Sequence, residues 1–120
     1  TGDVHETGAH DNVMNVPLAP GTAGPAFRRA WEERVFPALM EFAPELVLVS
    51  AGFDGHADDP LANLRLTEDD FAWITGRICD VAEATAGGRV VSTLEGGYDL
   101  GALSASVAAH VEVLMERGAA

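Results

Sequence analysis

Apolar positions along the chain follow two periodicities, one typical of strands and the other typical of helices. Residues 46–51 form a continuous apolar run, which predicts a strand covered on both faces, and residues 89–94 predict a second strand. Residues 13–16 are a shorter strand candidate that Pro17 ends. Strands that alternate with helices favour parallel pairing through βαβ units. The pattern therefore predicts an α/β fold.

Three helices are predicted around these strands. The first covers residues 26–42 and should kink at Pro37, which removes a backbone hydrogen bond. The second begins after Thr67 and ends at the glycine pair 87–88, and the third is capped by Asp99. The predicted buried stripes are Phe71, Ile74, Ile78 and Val81 in the second helix and Leu100, Leu103, Val107, Val111 and Leu114 in the third. Because three strands would leave an exposed edge, we expect the chain to be part of a larger sheet.

Composition limits the classes of partner. The formal net charge is -12, and all 7 basic residues are Arg, so we expect no direct nucleic-acid partner because the chain would repel phosphates. No apolar run approaches the roughly 18 residues of a membrane span, so no membrane partner is expected. Cys79 is the only cysteine, which rules out a disulfide within the chain, and we expect it to be buried and unreactive. The chain opens at Thr1 without a visible signal peptide, which favours a missing N-terminal portion and a cytoplasmic location.

Candidate chemistry follows each of the two central strands, at the ends where open α/β sheets bind ligands. Asp54 comes soon after the first strand, where a carboxylate can ligate a metal or act as a general base; the alternative is a turn residue that bonds its own backbone. Tyr98 follows two glycines, and its phenol, with an ordinary pKa of about 10, can donate to an oxyanion. The alternative for Tyr98 is an aromatic side chain that packs against the end of the sheet.

The other motifs give weaker evidence for a functional site. The two Asp-x-His triplets, at residues 3–5 and 54–56, lie outside apolar strands, so their use as paired metal ligands is not favoured. We expect His5 and His10 to be exposed, and His56 is either a loop residue or a donor that supports a ligand. The glycine turn at residues 96–97 lacks dinucleotide-binding spacing, and the chain has no Lys for a P-loop, so a Rossmann-type nucleotide binder is disfavoured.

Five ordered motifs resemble the histone deacetylase superfamily, nearest to its class II type and to bacterial acetoin-utilisation proteins and acetylpolyamine amidohydrolases. They are TGD at 1–3, NVPL at 15–18, SAGFD at 50–54, DPL at 59–61 and LEGGY at 94–98. The resemblance covers essentially the whole chain. It implies the three-layer arginase-deacetylase α/β fold, with a mainly parallel sheet and helices on both faces. It also implies a zinc-dependent deacetylase that hydrolyses acyl-amide bonds of acetyl-lysine or small acetylated amines.

The resemblance assigns roles to individual residues. Asp54 matches a zinc ligand, and Tyr98 matches the phenol that hydrogen-bonds the substrate carbonyl. Gly96 and Gly97 match the loop that flanks the substrate tunnel. Leu61 matches the tunnel rim, where a neutral side chain favours acyl-lysine over a cationic polyamine.

Two features of the family are absent from this sequence. Its first two zinc ligands form an Asp-x-His pair after a buried strand, and its general base belongs to two adjacent histidines; the triplet at residues 3–5 aligns instead with a later loop. We therefore expect residues 1–120 to be the C-terminal portion of a single catalytic domain, inactive alone. The alternative is a non-catalytic α/β binding module that retains only the fold.

Overall fold

The computed structural model describes residues 1–119, in which helices and strands alternate. The elements are α1 (Gly24–Ala30), a π-helical turn (Trp31–Val35), α2 (Phe36–Phe42), β1 (Val47–Ala51), α3 (Glu68–Thr85), β2 (Val90–Leu94) and α4 (Leu100–Gly118). The two strands pair in parallel and are connected through α3, so β1, α3 and β2 form the βαβ unit that the alternating pattern predicts.

The described sheet has two strands, and the strand predicted at residues 13–16 is not one of them. Val47 lies opposite Val90 and Ala51 lies opposite Leu94, so the strands are in register over their full length. The segment at 13–16 is short, and Pro17 directly after it has no N–H to offer a ladder. That prediction was wrong because a short apolar run is weak evidence without a pairing partner.

The two faces of the sheet differ in exposure. Ala51 is buried and Val49 is partly buried, whereas Leu48 and Val91, which are register neighbours, are 72% and 55% exposed. The apolar run predicted a strand covered on both faces, and within residues 1–119 only one face is covered. A parallel sheet of this composition is ordinarily covered on both.

The predicted kink at Pro37 takes the form of the π-helical turn that directly precedes it. A proline inside a helix has no N–H to donate, and its ring clashes with the carbonyl of the residue four positions earlier. A wider, π-helical turn before the proline accommodates both effects. Pro37 then occupies the first turn of α2, where proline is tolerated. The helix ends at Phe42, and it is followed by Ala43, whose φ of 51° is left-handed, and by Pro44.

The start of α3 agrees with the prediction. Thr67 is extended, and its N–H donates to Asp70 Oδ2 at 3.0 Å, one half of a capping box. Arg28 Nε donates to Asp70 Oδ1 at 2.9 Å, which ties α3 to α1. Among residues 1–119, no helix has both the length and the apolar character that crossing a membrane requires.

The apolar core consists of two clusters along α3. The first lies beneath the end of β1 and contains Ala51, Phe53, Leu66 and Phe71. The second lies between α2 and α3 and contains Phe36, Ile74 and Val81, with Phe27, Trp31, Leu39, Trp73 and Ile78 packed against it. The buried stripe predicted for α3 is thus confirmed at Phe71, Ile74 and Val81, and Cys79 is buried as expected, which raises the pKa of its thiol.

The buried stripe predicted for α4 was only partly right, since Leu103 and Val107 pack against the first core cluster but none of the five predicted residues is fully buried. Its buried residues are Ala102, Ser106 and His110, while Leu100 and Val111 are 81% and 41% exposed. Small side chains let α4 approach its neighbours closely, so the helix turns a mixed face inward rather than its most apolar one. Hydrophobic periodicity counts histidine as a polar residue, so it does not predict that His110 is buried.

His110 is accommodated because hydroxyl groups meet both ring nitrogens. Thr75 Oγ1 on α3 lies 2.7 Å from Nδ1, and Ser92 Oγ on β2 lies 2.8 Å from Nε2. The ring also packs edge-on against Phe53, with the ring centroids 5.6 Å apart. Burial lowers the pKa of His110, so the neutral ring links α4 to α3, to β2 and to the first core cluster.

Candidate functional site

The loops after β1 and β2 run side by side at the carboxyl end of the sheet. Glu95 N donates to Ala51 O at 2.9 Å, and Phe53 N donates to Gly96 O at 2.8 Å. These two bonds continue the parallel ladder beyond the last strand residues. The segments that carry the predicted site residues are therefore held together by their backbones.

Asp54 lies half-buried between two glycines. A Cβ at Gly52 would lie 2.9 Å from Asp54 Oδ1, and a Cβ at Gly96 would lie 3.0 Å from both Oδ1 and Cγ of Asp54. Contacts this short lie at or inside the closest approach of real side chains, so a larger residue at either position would displace the carboxylate. The glycine at 96, predicted to flank a substrate tunnel, is thus also the wall against which Asp54 rests.

Gly97 sets the course of the backbone into Tyr98. Its φ is 139°, and a Cβ there would lie 2.7 Å from Leu103 Cδ1, so both the conformation and the space require glycine. Tyr98 follows with 57% of its surface exposed. Asp99 then caps α4 by accepting a hydrogen bond from Ala102 N at 2.8 Å. Tyr98 is therefore flanked on both sides by fixed backbone.

Asp59 connects the two loops through its side chain. Its Oδ2 accepts from Tyr98 N at 2.8 Å, and its Oδ1 accepts from Leu61 N at 2.9 Å. Burial alone would raise the pKa of this carboxyl, but the hydrogen bonds from Leu61 and Tyr98, with the nearby amides of Ala62 and Asp99, outweigh that effect and lower it. The predicted rim residue, Leu61, is 62% exposed beside this contact.

His56 is a buried part of the loop that carries Asp54 and Asp59. Its Nδ1 accepts from Asp58 N at 3.0 Å, which places the proton of the neutral ring on Nε2. That Nε2 lies 3.3 Å from Glu68 Oε1 but is poorly aligned for a hydrogen bond. The pKa of Glu68 is lowered, chiefly by its own backbone N–H. Both ring nitrogens face partners other than Asp54, so the 54–56 triplet is not a metal-ligand pair.

The triplet at residues 3–5 is a surface turn. Asp3 Oδ1 accepts from His5 N at 2.8 Å, and His5 and His10 are exposed, as predicted. Within residues 1–119, no three His, Cys, Asp or Glu side chains lie close enough together to hold a metal ion. Asp54 is therefore a candidate for one ligand of a site, and the described residues do not complete it.

A cleft of about 540 Å³ lies against β1 and reaches the candidate site. Its walls include Gly52 and Asp54 at one end and aromatic side chains such as Phe27, Trp31 and Phe71 elsewhere. Tyr98 does not line it. Asp54 and Tyr98 are thus connected through the backbone of the second loop and not through this cleft.

Two residues of this region carried no assigned role in the sequence. Asp59 precedes a proline, a pairing that favours the start of a turn, but nothing in the sequence pointed to Tyr98 as its partner. His110 ends the apolar and small-residue stretch at residues 100–109 of α4, and that change of character is the signal that could have identified it. Both residues act through contacts between elements distant in sequence.

Comparisons of the sequence and of the fold with known proteins indicate one family. A family model described as histone deacetylase domain matches residues 1–114. The chain is 45% identical over 111 residues to "Histone deacetylase 10, chloroplastic" of Oryza sativa subsp. japonica, covering 90% of this chain and 25% of that protein. It is 44% identical over 96 residues to "Histone deacetylase-like amidohydrolase" of Pseudomonas aeruginosa, covering 80% of this chain and 25% of that protein.

A solved structure, the crystal structure of the HDA15 HD domain, superposes with a TM-score of 0.89 at 32% identity, over 97% of this chain and 33% of that chain. The chain belongs to the histone deacetylase domain family and shares the α/β fold of its members. It spans about a quarter of the length of the two curated relatives named above.

Proposed function

We propose that this chain is the C-terminal portion of the catalytic domain of a zinc-dependent deacetylase. Its relatives carry deacetylase names, and it spans about a third of the solved domain that it resembles. The exposed neighbours Leu48 and Val91 on the sheet also support a larger domain, because they would need a covering layer. The alternative function, a binding module that retains only the fold, predicts no bound metal.

The observation that carries the proposal is the position of Asp54. A carboxylate at the end of β1, half-buried and held between Gly52 and Gly96, is a suitable ligand for zinc, which takes oxygen, nitrogen or sulfur donors. The residues present fit the metal to the extent of this one ligand. We place the remaining ligands and the general base outside these 120 residues.

A bound zinc supplies acidification of a water molecule and polarisation of the amide carbonyl. The part of Tyr98 is to donate its phenolic proton in a hydrogen bond to the carbonyl oxygen as negative charge develops there. Gly96 and Gly97 let the backbone bring that phenol to the wall of the substrate tunnel without a side chain in the way. Zinc binding and oxyanion stabilisation thus come from neighbouring loops.

The side chain at the rim of the proposed substrate tunnel indicates the substrate class. Leu61 is 62% exposed and uncharged, so it offers an apolar surface to the stem of a substrate rather than an anion to an ammonium group. The proposed substrates are therefore acetyl-lysine in proteins and other acetylated amines without a second cationic group near the rim. An acidic side chain at this position would favour polyamines.

The decisive experiment compares the intact protein with its Asp54→Ala variant. We expect the intact protein to bind one equivalent of zinc and to hydrolyse a fluorogenic acetyl-lysine substrate, and we expect the variant to lose both. A variant at an exposed carboxylate of the same loop, Asp58→Ala, is the matched control and should keep its zinc.

Elemental analysis of the purified proteins separates the candidate functions. Zinc retained in full by Asp54→Ala would refute ligation by this residue, and an intact protein with neither zinc nor turnover would favour the binding module. The 120-residue chain alone should show no amidase activity.

A further inference from the structure

One carboxylate, that of Asp59, binds backbone amides from both sides of the candidate site. Tyr98 N donates to it at 2.8 Å from a position 39 residues away in sequence, and Leu61 N donates at 2.9 Å from its own loop. Tyr98 follows Gly96 and Gly97, which have no side chains with which to fix the segment by hydrogen bonds. Asp59 is therefore a side-chain anchor for the residue that carries the phenol.

Asp59 is itself held in place. Its N–H donates to His56 O at 3.0 Å, and His56 is buried with its Nδ1 occupied by Asp58 N. The anchor is thus attached to a buried residue of its own loop. A carboxylate fixed in this way can transmit the position of the first loop to the second.

The charge of Asp59 suits this role. Two amide donors from separate segments need two acceptor oxygens, which a carboxylate provides. An asparagine has the same shape but offers one oxygen, so its NH₂ group would face one of the two N–H donors. The asparagine variant therefore removes one hydrogen bond while keeping the volume of the side chain.

We propose that Asp59 is a positioning residue that holds the Tyr98 backbone so that the phenol meets the substrate carbonyl, and that it couples Tyr98 to the rim residue Leu61. This inference rests on the proposed function of Tyr98. Asp59 touches neither substrate nor metal in this scheme, and its effect on turnover passes through Tyr98.

The test uses the intact protein with Asp59→Asn, Tyr98→Phe and the double variant. A small misplacement of a group that acts in the transition state reduces turnover, so we expect Asp59→Asn to lower kcat about 10- to 100-fold and to change KM much less. In the Tyr98→Phe background the same substitution should change kcat less than about twofold, because the phenolic hydroxyl is already gone. Equal effects of Asp59→Asn in the two backgrounds would overturn the proposal.

The matched control is Asp58→Asn, on the same loop with 75% of its side chain exposed. Its kcat should stay within about twofold of the parent, as is usual for exposed sites. A loss as large as that of Asp59→Asn would show a general effect of loop charge and would contradict positioning by Asp59.

A second readout does not depend on catalysis. Hydrogen exchange of the Tyr98 amide should accelerate about tenfold or more in Asp59→Ala, which removes both acceptor oxygens, and stay unchanged in Asp58→Ala, with amides of α3 as the reference for global unfolding. An unchanged Tyr98 amide would refute the anchor. If the intact protein hydrolyses no acetyl-amide, the proposed function fails, whereas the exchange result still decides whether Asp59 holds Tyr98.

Discussion

Two regions of this molecule are held together by different means. The strand-end loops, residues 52–61 and 95–99, are joined by backbone hydrogen bonds, glycine contacts and the carboxylate of Asp59. The aromatic cluster between α1, α2 and α3 consists of large side chains, with Trp31 and Phe36 rings 5.4 Å apart and Phe36 and Trp73 rings 6.0 Å apart. The first region places polar groups, and the second buries apolar area.

Because of this difference, we expect one region to determine stability and the other to determine function. Burial of apolar side chains is the dominant favourable contribution to stability, whereas a few hydrogen bonds at exposed loops contribute little to it. The same few bonds determine where Asp54 and Tyr98 stand, and catalysis is sensitive to such positions. We therefore expect substitutions in the aromatic cluster to change the free energy of unfolding, and substitutions in the loops to change turnover or metal content.

The largest effect is expected in the aromatic cluster. Phe36 is 4% exposed and contacts Trp31, Trp73 and the guanidinium of Arg77, so Phe36→Ala should lower the free energy of unfolding by about 3–5 kcal/mol. Chemical denaturation of the intact protein measures this change. Phe42→Ala in the same helix is the control, because Phe42 is 75% exposed and should change stability little. Comparable losses in the two variants would show that the cluster is not the stabilising region.

The next effect is on turnover. Tyr98→Phe removes one donor to the developing oxyanion, so we expect kcat to fall by about 10²–10³, equivalent to roughly 2.7–4 kcal/mol, with zinc content and melting temperature kept. Steady-state kinetics with an acetyl-lysine substrate measure kcat, and elemental analysis measures the zinc content. Unaltered kcat would remove Tyr98 from the mechanism, and a large loss of stability would break the contrast between the two regions.

The smallest expected effect is on the pH dependence of stability. It comes from His110, which lies between the two regions. Because burial lowers the pKa of this histidine, the unfolded chain binds its proton more readily than the folded chain does. Its contribution to stability is therefore fully present above the ordinary pKa of about 6.5 and is lost as the pH falls below that value.

Unfolding titrations of the intact protein between about pH 7.5 and pH 5.5 measure this dependence. His110→Gln, which can still bond the hydroxyls of Thr75 and Ser92, should reduce the slope of stability against pH in that window. His10→Gln is the control, since His10 is exposed and should leave the slope as it is. A slope that His110→Gln does not alter would mean that the buried ring keeps its proton on folding.

The sequence alone determined the elements that depend on local chemistry. The apolar runs at β1 and β2, the capping of α3 at Thr67 and of α4 at Asp99, and the break before Pro37 all follow from side chains close in sequence. The motif resemblance to the histone deacetylase family was likewise available from residues alone, and the family match confirms it. Local propensity and short motifs carry this information because neighbours in sequence are neighbours in space.

Only the tertiary structure decided which face of α4 is buried, that residues 13–16 form no strand, and that Asp59 binds the amide of Tyr98. Each of these depends on partners far apart in the chain. Hydroxyls on α3 and β2 make a buried His110 favourable, and a strand forms only where another strand is available to pair with it. Hydrophobic periodicity cannot express such contacts, because it records the character of each residue and not the group that residue will meet.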